Sequence, residues 1–291
     1  MTPAVTLAAV RCRLPSAMLS MSTRAILARL GLALLLLPVA QGALAAGKCE
    51  RLVATGHPDQ PPYLWRDPQQ PKQLIGASAD LLKALGKELG VRIDVLHSGS
   101  RAAAEDAARS GRVDLLAGSY LSVEALEQFD FIHPAYLEVP VQVWSLADKA
   151  PLFTRLDDLA RHRGALLGAG DYPPALRSQL EQGLALRPAT EPATALQQLR
   201  QGRLDFLVIE RQAGLALLQR AGAADEVQAL RPELGSEPLY LALSHNSACN
   251  DPWLRGQLAK KLTEFRAAGL PEQLLQRNLA AWQAQQGQGT P

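Results

Sequence analysis

Two short segments of this chain end in residues that could grip a small polar molecule: Gly118-Ser119-Tyr120 and Ile209-Glu210-Arg211. A serine hydroxyl and backbone N–H groups can donate to a ligand oxygen, while a glutamate accepts from a cationic nitrogen. Both segments close the same local pattern. Gly-Arg-Val-Asp-Leu-Leu occupies 111–116 and Gly-Arg-Leu-Asp-Phe-Leu occupies 202–207. Each copy follows an amphipathic stretch, Ala102 to Ser110 or Ala193 to Gln201, and runs into an apolar segment. The pattern predicts a helix, a Gly stop in the left-handed region, a tight turn and a buried strand. In open α/β sheets, ligands gather beyond the carboxyl ends of strands. Two such ends facing each other would make a binding cleft. The Arg and Asp of each repeat have a plainer reading as turn residues that join helix to strand.

Nothing in the titratable set announces catalysis. The five histidines (His57, His97, His133, His162, His245) show no HExxH or paired metal spacing. No G-x-S-x-G elbow occurs. No cofactor or metal is expected, and the chain is not expected to be an enzyme.

The elements that would carry these groups alternate. Leu52–Thr55 reads as an opening strand ended by Gly56, and His57 to Gln73 as a loop rich in Pro and Asp. A short apolar piece starts at Leu74. A helix capped by Ser78 or Asp80 carries Leu81, Leu82, Leu85 and Leu89 on one face and stops at Gly90. Strands follow at Val91–Leu96 and 113–117, with the 102–110 helix between them. Phe129–Pro134 and Val139–Leu146 read as extended, the second a candidate crossover between lobes. The second half offers a strand at Ala165–Leu167 and a helix at Pro174–Leu184. Then come helix 193–201, strand 204–209, helix 212–221 and a returning strand at Leu239–Ser244. Helices Pro252–Ala268 and Pro271–Gln283 close the chain, and the tail from Gln285 is expected to be disordered. Alternation of this kind predicts α/β architecture.

The chain has 291 residues and is 47% hydrophobic, enough for one large or two modest domains. Residues 1–45 read as a secretory signal, with Arg24 and Arg29 before the apolar run Leu30–Ala40 and the small-x-small site Ala43-Leu44-Ala45. Cleavage is expected after Ala45 or Ala46; Met18 or Met21 is the better start, leaving 1–17 possibly untranslated. No other segment has about 18 consecutive apolar residues, so the mature protein should be soluble. Cleavage removes four arginines and no acid, leaving 26 basic against 28 acidic residues and a net charge of −2. That balance, with no basic stripe, excludes nucleic acid as a partner. Cys49 and Cys249 remain in the exported chain. They form either one disulfide or two separate buried thiols; an even pair in an exported protein predicts the disulfide. Such a bridge requires both chain ends to share one lobe. Lys48 sits where a lipidated Cys49 would need a small residue.

Across roughly residues 50–282 the order of the pieces resembles the family 3 periplasmic solute-binding proteins, the polar amino acid binders of bacterial ABC importers. The resemblance lies in Pro61-Pro62-Tyr63, Leu74 through Leu82, Ser110 through Asp114 and Phe129 through Tyr136, then in Leu156-Asp157-Asp158-Leu159, Gly202 through Asp205 and the closing helices. It implies a two-lobed, type II clamshell with two hinge strands, closing over a small ligand. Lobe 1 would be 46–140 plus 237–284, lobe 2 would be 141–236, and 285–291 a tail. The family's carboxylate-gripping Arg falls on Ala125, and its aromatic before Pro-Pro falls on Gln60. An aromatic often stacked on the ligand matches Arg101, and Glu210 matches an acid that commonly meets a ligand ammonium. Gly118 and Ser119 match first-lobe donors, while Gly170, Asp171 and Tyr172 match a helix N-terminus that lines the second lobe.

The expected function is a periplasmic protein that binds a small polar or zwitterionic solute and delivers it, as a monomer, to an ABC permease or a membrane receptor. The candidate ligand residues are Tyr63, Arg101, Gly118, Ser119, Tyr120, Gly170, Asp171, Tyr172 and Glu210. Several keep alternatives. Arg101 either faces the ligand, replacing the guanidinium missing at Ala125, or pairs with Glu105. Glu210 either meets the ligand or makes a salt bridge to Arg211 or a lobe-closure contact. Tyr63, Trp65 and Tyr172 either line the site or cover the core. A sensory clamshell without transport, and a dehydratase-like enzyme with Glu210 as its acid, are the other readings of the fold.

Overall fold

The structure, a computed structural model, describes residues 49–287 apart from 169–171, 173 and 185. The expected signal sequence therefore lies outside the described residues, as do Gly170 and Asp171. Strands β1 (Arg51–Thr55), β2 (Asp59–Gln60), β3 (Leu64–Arg66) and β4 (Leu74–Ile75) lead into helix α1 (Ala77–Leu89). Next come β5 (Arg92–Val95), α2 (Arg101–Arg109), β6 (Leu115–Tyr120), α3 (Val123–Leu126) and β7 (Phe129–Leu146). After two 3-10 turns follow β8 (Gly164–Leu167), α4 (Pro174–Gly183), β9 (Arg187–Ala189), α5 (Pro192–Arg200), β10 (Phe206–Glu210) and α6 (Arg211–Arg220). The chain closes with β11 (Val227–Ala229), β12 (Gly235–Ser244), α7 (Pro252–Ala267) and α8 (Leu270–Gly287).

The main sheet runs β5-β1-β6-β12-β7-β10-β8-β9, with β11 paired to β7. Its two flanks are parallel: β1 with β5 and β6, and β8 with β10 and β9. The two middle strands, β7 and β12, are antiparallel and long; β12 joins the first flank through β6, and β7 joins the second through β10. The C-terminal half of β12 (Leu239–Leu243) pairs with β6, while β7 pairs with β10 through Val141–Trp144. Between these regions the β7–β12 ladder breaks: Leu239 opposes Leu137, but Leu241 opposes Ile132. Two strands thus cross from one lobe to the other, with an irregular register at the crossing. Phe129–Pro134 and Val139–Leu146, read as separate extended pieces, are one continuous strand, because the residues between them stay extended, with Ala135–Leu137 buried.

The cores divide the same way. One cluster joins β1, α1, β5 and β6 to the C-terminal helices, with Leu52, Leu82, Leu115, Leu258 and Leu262 all fully buried. Two further clusters pack the second lobe, around Leu196, Leu199 and Leu207 on one sheet face and Leu166, Leu180 and Phe206 on the other. Both ends of the described chain therefore meet in the first lobe. The Cys49–Cys249 disulfide is present there, with Cα atoms 5.6 Å apart.

The repeated Gly-Arg-x-Asp proves to be a strand-locking turn. Gly111 and Gly202 take φ of 75° and 66°, the left-handed stop expected from the sequence. Asp114 then bonds the neighbouring strand twice: its N–H reaches the Val53 carbonyl at 2.8 Å, and its carboxylate accepts the Val53 N–H at 2.7 Å. Asp205 does the same to Arg163, just ahead of β8, at 2.8 and 2.7 Å. The carboxylates serve backbone donors, which is why the repeat needs Asp. Asp114 also accepts the Ser247 hydroxyl at 2.6 Å. Asp114→Ala should cost about 2 kcal/mol by leaving these donors unmet, whereas Arg112→Ala should cost little, since Arg112 only reaches Ser110 at the surface. Urea denaturation of both variants decides it; equal stabilities would remove the locking role.

Three sequence expectations need correction. Helix α1 starts at Gly76 rather than at a Ser78 or Asp80 cap. Gly76 has φ 131° and a Cβ there would strike the Tyr63 carbonyl, so close approach selected glycine. Ser78 instead bonds the buried Tyr136 hydroxyl at 2.7 Å, and Asp80 holds Arg277 and Asn278 of α8, each at 2.9 Å. The tail begins later than Gln285, because α8 continues to Gly287 and Gln285 accepts the Trp65 indole N–H at 3.1 Å. Finally, the loop from His57 to Gln73 contains β2 and β3, which with β4 just beyond it form a small separate sheet. Strands of two or three residues are too short to show alternation.

Candidate functional site

The carboxyl ends of β6 and β10 open on a cleft between the lobes. On the first side, Gly118 takes φ 108°, and a Cβ there would lie 3.1 Å from the Tyr136 hydroxyl. Ser119 and Tyr120 follow it, both half-buried. Helix α2 contributes Arg101 in its first turn, with Ser100 as the cap, its hydroxyl accepting the Ala103 N–H at 3.3 Å. Arg101 donates through Nε to Glu105 at 2.9 Å, one turn on. It lines the cleft as well, so pairing with Glu105 and facing the cavity are compatible. Ser122 caps the short α3, and Ala125 sits on the same cavity wall.

The other side is organised by Glu210. It is the last residue of β10 and the cap of α6. Its Oε1 accepts the Gln212 N–H and its Oε2 the Ala213 N–H, both at 2.8 Å. The Tyr63 hydroxyl, from the first lobe, donates to Oε1 at 2.8 Å. The Glu210 N–H in turn donates to the Tyr172 hydroxyl at 3.0 Å. All three side chains are buried. Burial pushes the Glu210 carboxyl up to about 7, although the two N–H groups, the Tyr63 hydroxyl and the Arg211 charge each favour its ionised form. Burial and the adjacent carboxylate push the Tyr63 phenol well above its usual value.

Two cavities adjoin along this cleft. The first, about 360 Å3, is lined by Arg101, Glu105, Ser119 and Ala125, among others. The second, about 350 Å3, is lined by Tyr63, Ile209, Glu210 and Trp282, among others. Gln60, Tyr120 and Tyr172 line both and so stand between them. Each volume suits a small organic molecule.

The sequence profile of the bacterial extracellular solute-binding proteins, family 3, matches residues 52–280. The chain belongs to this family. No individually curated protein matches the sequence. Among solved structures, it is similar to an amino acid ABC transporter substrate-binding protein of Streptococcus pneumoniae bound to L-arginine. That match has 19% identity, covers 80% of this chain and 96% of that one, and has a TM-score of 0.60. It is similar also to a histidine kinase sensor domain described as resembling periplasmic binding proteins, at 23% identity, 81% and 96% coverage and a TM-score of 0.60. A third is an ancestral amino acid-binding protein described as a precursor of cyclohexadienyl dehydratase, at 22% identity, 79% and 96% coverage and a TM-score of 0.59. These identities carry the type II periplasmic binding protein fold.

Of the predicted site residues of this solute-binding protein, Arg101, Gly118, Ser119, Tyr120 and Tyr172 line the first cavity. Tyr63, Tyr120, Tyr172 and Glu210 line the second. Tyr63 and Glu210 hydrogen-bond to each other as well as lining the second cavity. Glu210 makes no salt bridge to Arg211; burial and the cap direct its carboxylate to backbone donors. Trp65 covers the core with Trp282 and Ala216. Sequence reasoning missed Gln60 as a shared wall, and it missed Trp282, whose place in a C-terminal helix gave no sign that it reaches the cleft.

Proposed function

We propose that this protein is exported to the periplasm, captures a small polar or zwitterionic solute between its lobes and presents it to an ABC importer. The observation that supports this most is the first cavity. It sits at the strand end Gly118-Ser119-Tyr120 and combines a guanidinium, a carboxylate, a hydroxyl and backbone groups from the first lobe with Tyr172 from the second. The irregular β7–β12 register, where Leu239 opposes Leu137 but Leu241 opposes Ile132, supports a hinge close to the expected lobe boundaries at 140/141 and 236/237. An amino-acid-like ligand fits the family and the arginine-bound relative. With alanine at 125, Arg101 takes over the contact to a ligand carboxylate.

Thermal-shift screening of the purified protein against L-amino acids and small carboxylates tests this, because a ligand that binds only the folded state raises the melting temperature. For a carboxylate hit, Arg101→Ala should weaken binding at least tenfold, about 1.4 kcal/mol, measured by calorimetry. Unchanged affinity would reduce Arg101 to the helix partner of Glu105.

A sensory role is the second reading, favoured by alanine at 125 and by the likeness to a sensor domain. Capture of a receptor rather than a permease from detergent-solubilised membranes would favour it. For the dehydratase-like reading, a carboxyl held near neutrality suits a general acid. However, three hydrogen bonds already occupy that group.

A further inference from the structure

The first cavity runs on past the cleft into the first lobe. Among the described residues, Tyr172 is its only wall from the second lobe; the rest of the lining reaches back between α2 and α3. Arg101, Glu105 and Arg109 recur at four-residue spacing and all line the cavity, so one face of α2 borders it from end to end. Eight residues at 1.5 Å each put the two arginines about 12 Å apart along the helix. Between them the buried lining is apolar: Ala104, Leu116 and Phe129. Ala125 of α3 packs against the same cluster as Leu116 and Phe129. Two alanines, 104 and 125, thus stand where longer side chains would fill the trough.

The far end of the trough is polar again. Arg109 ends α2, and Gln128 follows α3; both line the cavity. The turn after β12 holds their backbones side by side. The His245 N–H donates to the Gln128 carbonyl at 3.0 Å, and the Asn246 amide donates to the Arg109 carbonyl at 2.8 Å. Arg109 spends Nη1 on Asp106, an exposed pair within one helical turn. Such a pair is worth little, and a guanidinium carries five N–H donors. The Gln128 amide adds two. The acids in the lining are already answered. Glu105 accepts from Arg101, and the exposed Glu124 is held below the usual carboxylate range by its own backbone N–H and the Ser122 hydroxyl.

We propose that this trough extends the ligand site along α2 and takes a medium-chain α,ω-dicarboxylate. One carboxylate sits in the cleft at Arg101 and Ser119, and the methylenes cross Ala104, Leu116, Ala125 and Phe129. The second carboxylate meets Arg109 and Gln128. This deepens the cleft-binding reading and rests on it, since the near carboxylate occupies the contact assigned there to Arg101.

Calorimetry with azelate, nonanoate and succinate tests the proposal. Nonanoate has the chain length of azelate with one carboxylate, and succinate has both carboxylates without the length. The protein should be produced from the full-length gene and purified after export. Azelate should bind at least tenfold more tightly than either. Arg109→Ala, at an exposed position, should bring azelate down to the affinity of nonanoate. Ala125→Phe fills the trough from its half-buried position and should weaken azelate at least tenfold, with circular dichroism confirming the fold of both variants. The proposal is overturned if nonanoate binds as well as azelate, or if Arg109→Ala, still folded, leaves azelate affinity unchanged. Binding of succinate or of an L-amino acid without azelate would remove the trough and leave the cleft reading standing. Silence from all of them would remove both.

Discussion

Replacing Cys49 and Cys249 together by serine should lower the melting temperature by about 10 °C. The bridge spans 200 residues, and closing so long a loop in the unfolded chain is worth about 5 kcal/mol in the chain-entropy account. For a protein of this size each kcal/mol shifts the midpoint by about 2–4 °C, so the expected fall is large even if native bridges deliver less than the theory. Locally the bridge joins the lead-in to β1 with the segment before α7. It pins the first described strand to helices folded from the far end of the sequence. The competing anchor is backbone pairing: β1 lies between β5 and β6 and is further held by Asp114. If the double-serine variant melts within about 2 °C of the oxidised protein, those ladders suffice. Calorimetry of the oxidised, reduced and double-serine forms at one pH separates loss of the bridge from the side-chain change.

The fold was legible wherever one physical signal ran for a whole element. Leu81, Leu82 and Leu85 at helical spacing, closed by Gly90, marked α1 because one face of a helix must be buried. The two Gly-Arg-x-Asp copies marked two lobes because each strand needs the same lock to its parallel neighbour. Cysteine parity gave the bridge. Legibility failed where an element is shorter than its own period, as in β2 and β3, and where a residue answers to something distant. Gly76 is fixed by the Tyr63 carbonyl, not by its helix. The site was legible at its strand ends and little beyond. Ser119 could be placed at a strand end from local pattern, Arg101 only through the family resemblance, and both line one wall. Tyr63 and Glu210 are 147 residues apart, and nothing local says that one will occupy the other. Their mutual bond joins two residues that both line the second cavity, a contact that a spacing argument could offer only as an alternative.

That contact should give the protein a distinctive response to acid. Burial raises the Glu210 carboxyl to about 7 in the folded state, while in the unfolded chain it titrates near 4.3. The folded protein therefore binds a proton more readily than the unfolded one, and stability falls as pH rises between these values. The Glu210 contribution is fully present below the unfolded value, is lost as pH climbs through the folded one, and stays constant above it. The usual paired carboxylate behaves in the opposite sense. The groups facing Glu210 are the Tyr63 and Tyr172 hydroxyls, the Gln212 and Ala213 N–H groups and the nearby Arg211 charge. Burial pushes the Tyr63 phenol well above its usual value, so the titration expected in this window belongs to the carboxyl. Glu210→Gln keeps the shape and removes the proton equilibrium. Wild type should gain on this variant by up to about 3 kcal/mol between pH 8 and pH 5, read as the difference between their urea unfolding free energies at each pH. A difference that stays flat would mean that the capping N–H groups and Tyr63 keep Glu210 ionised throughout. In that case the charge would be satisfied within the protein by the cap and the Tyr63 hydroxyl. Stability against pH is therefore a test of how strongly burial governs the Glu210 proton.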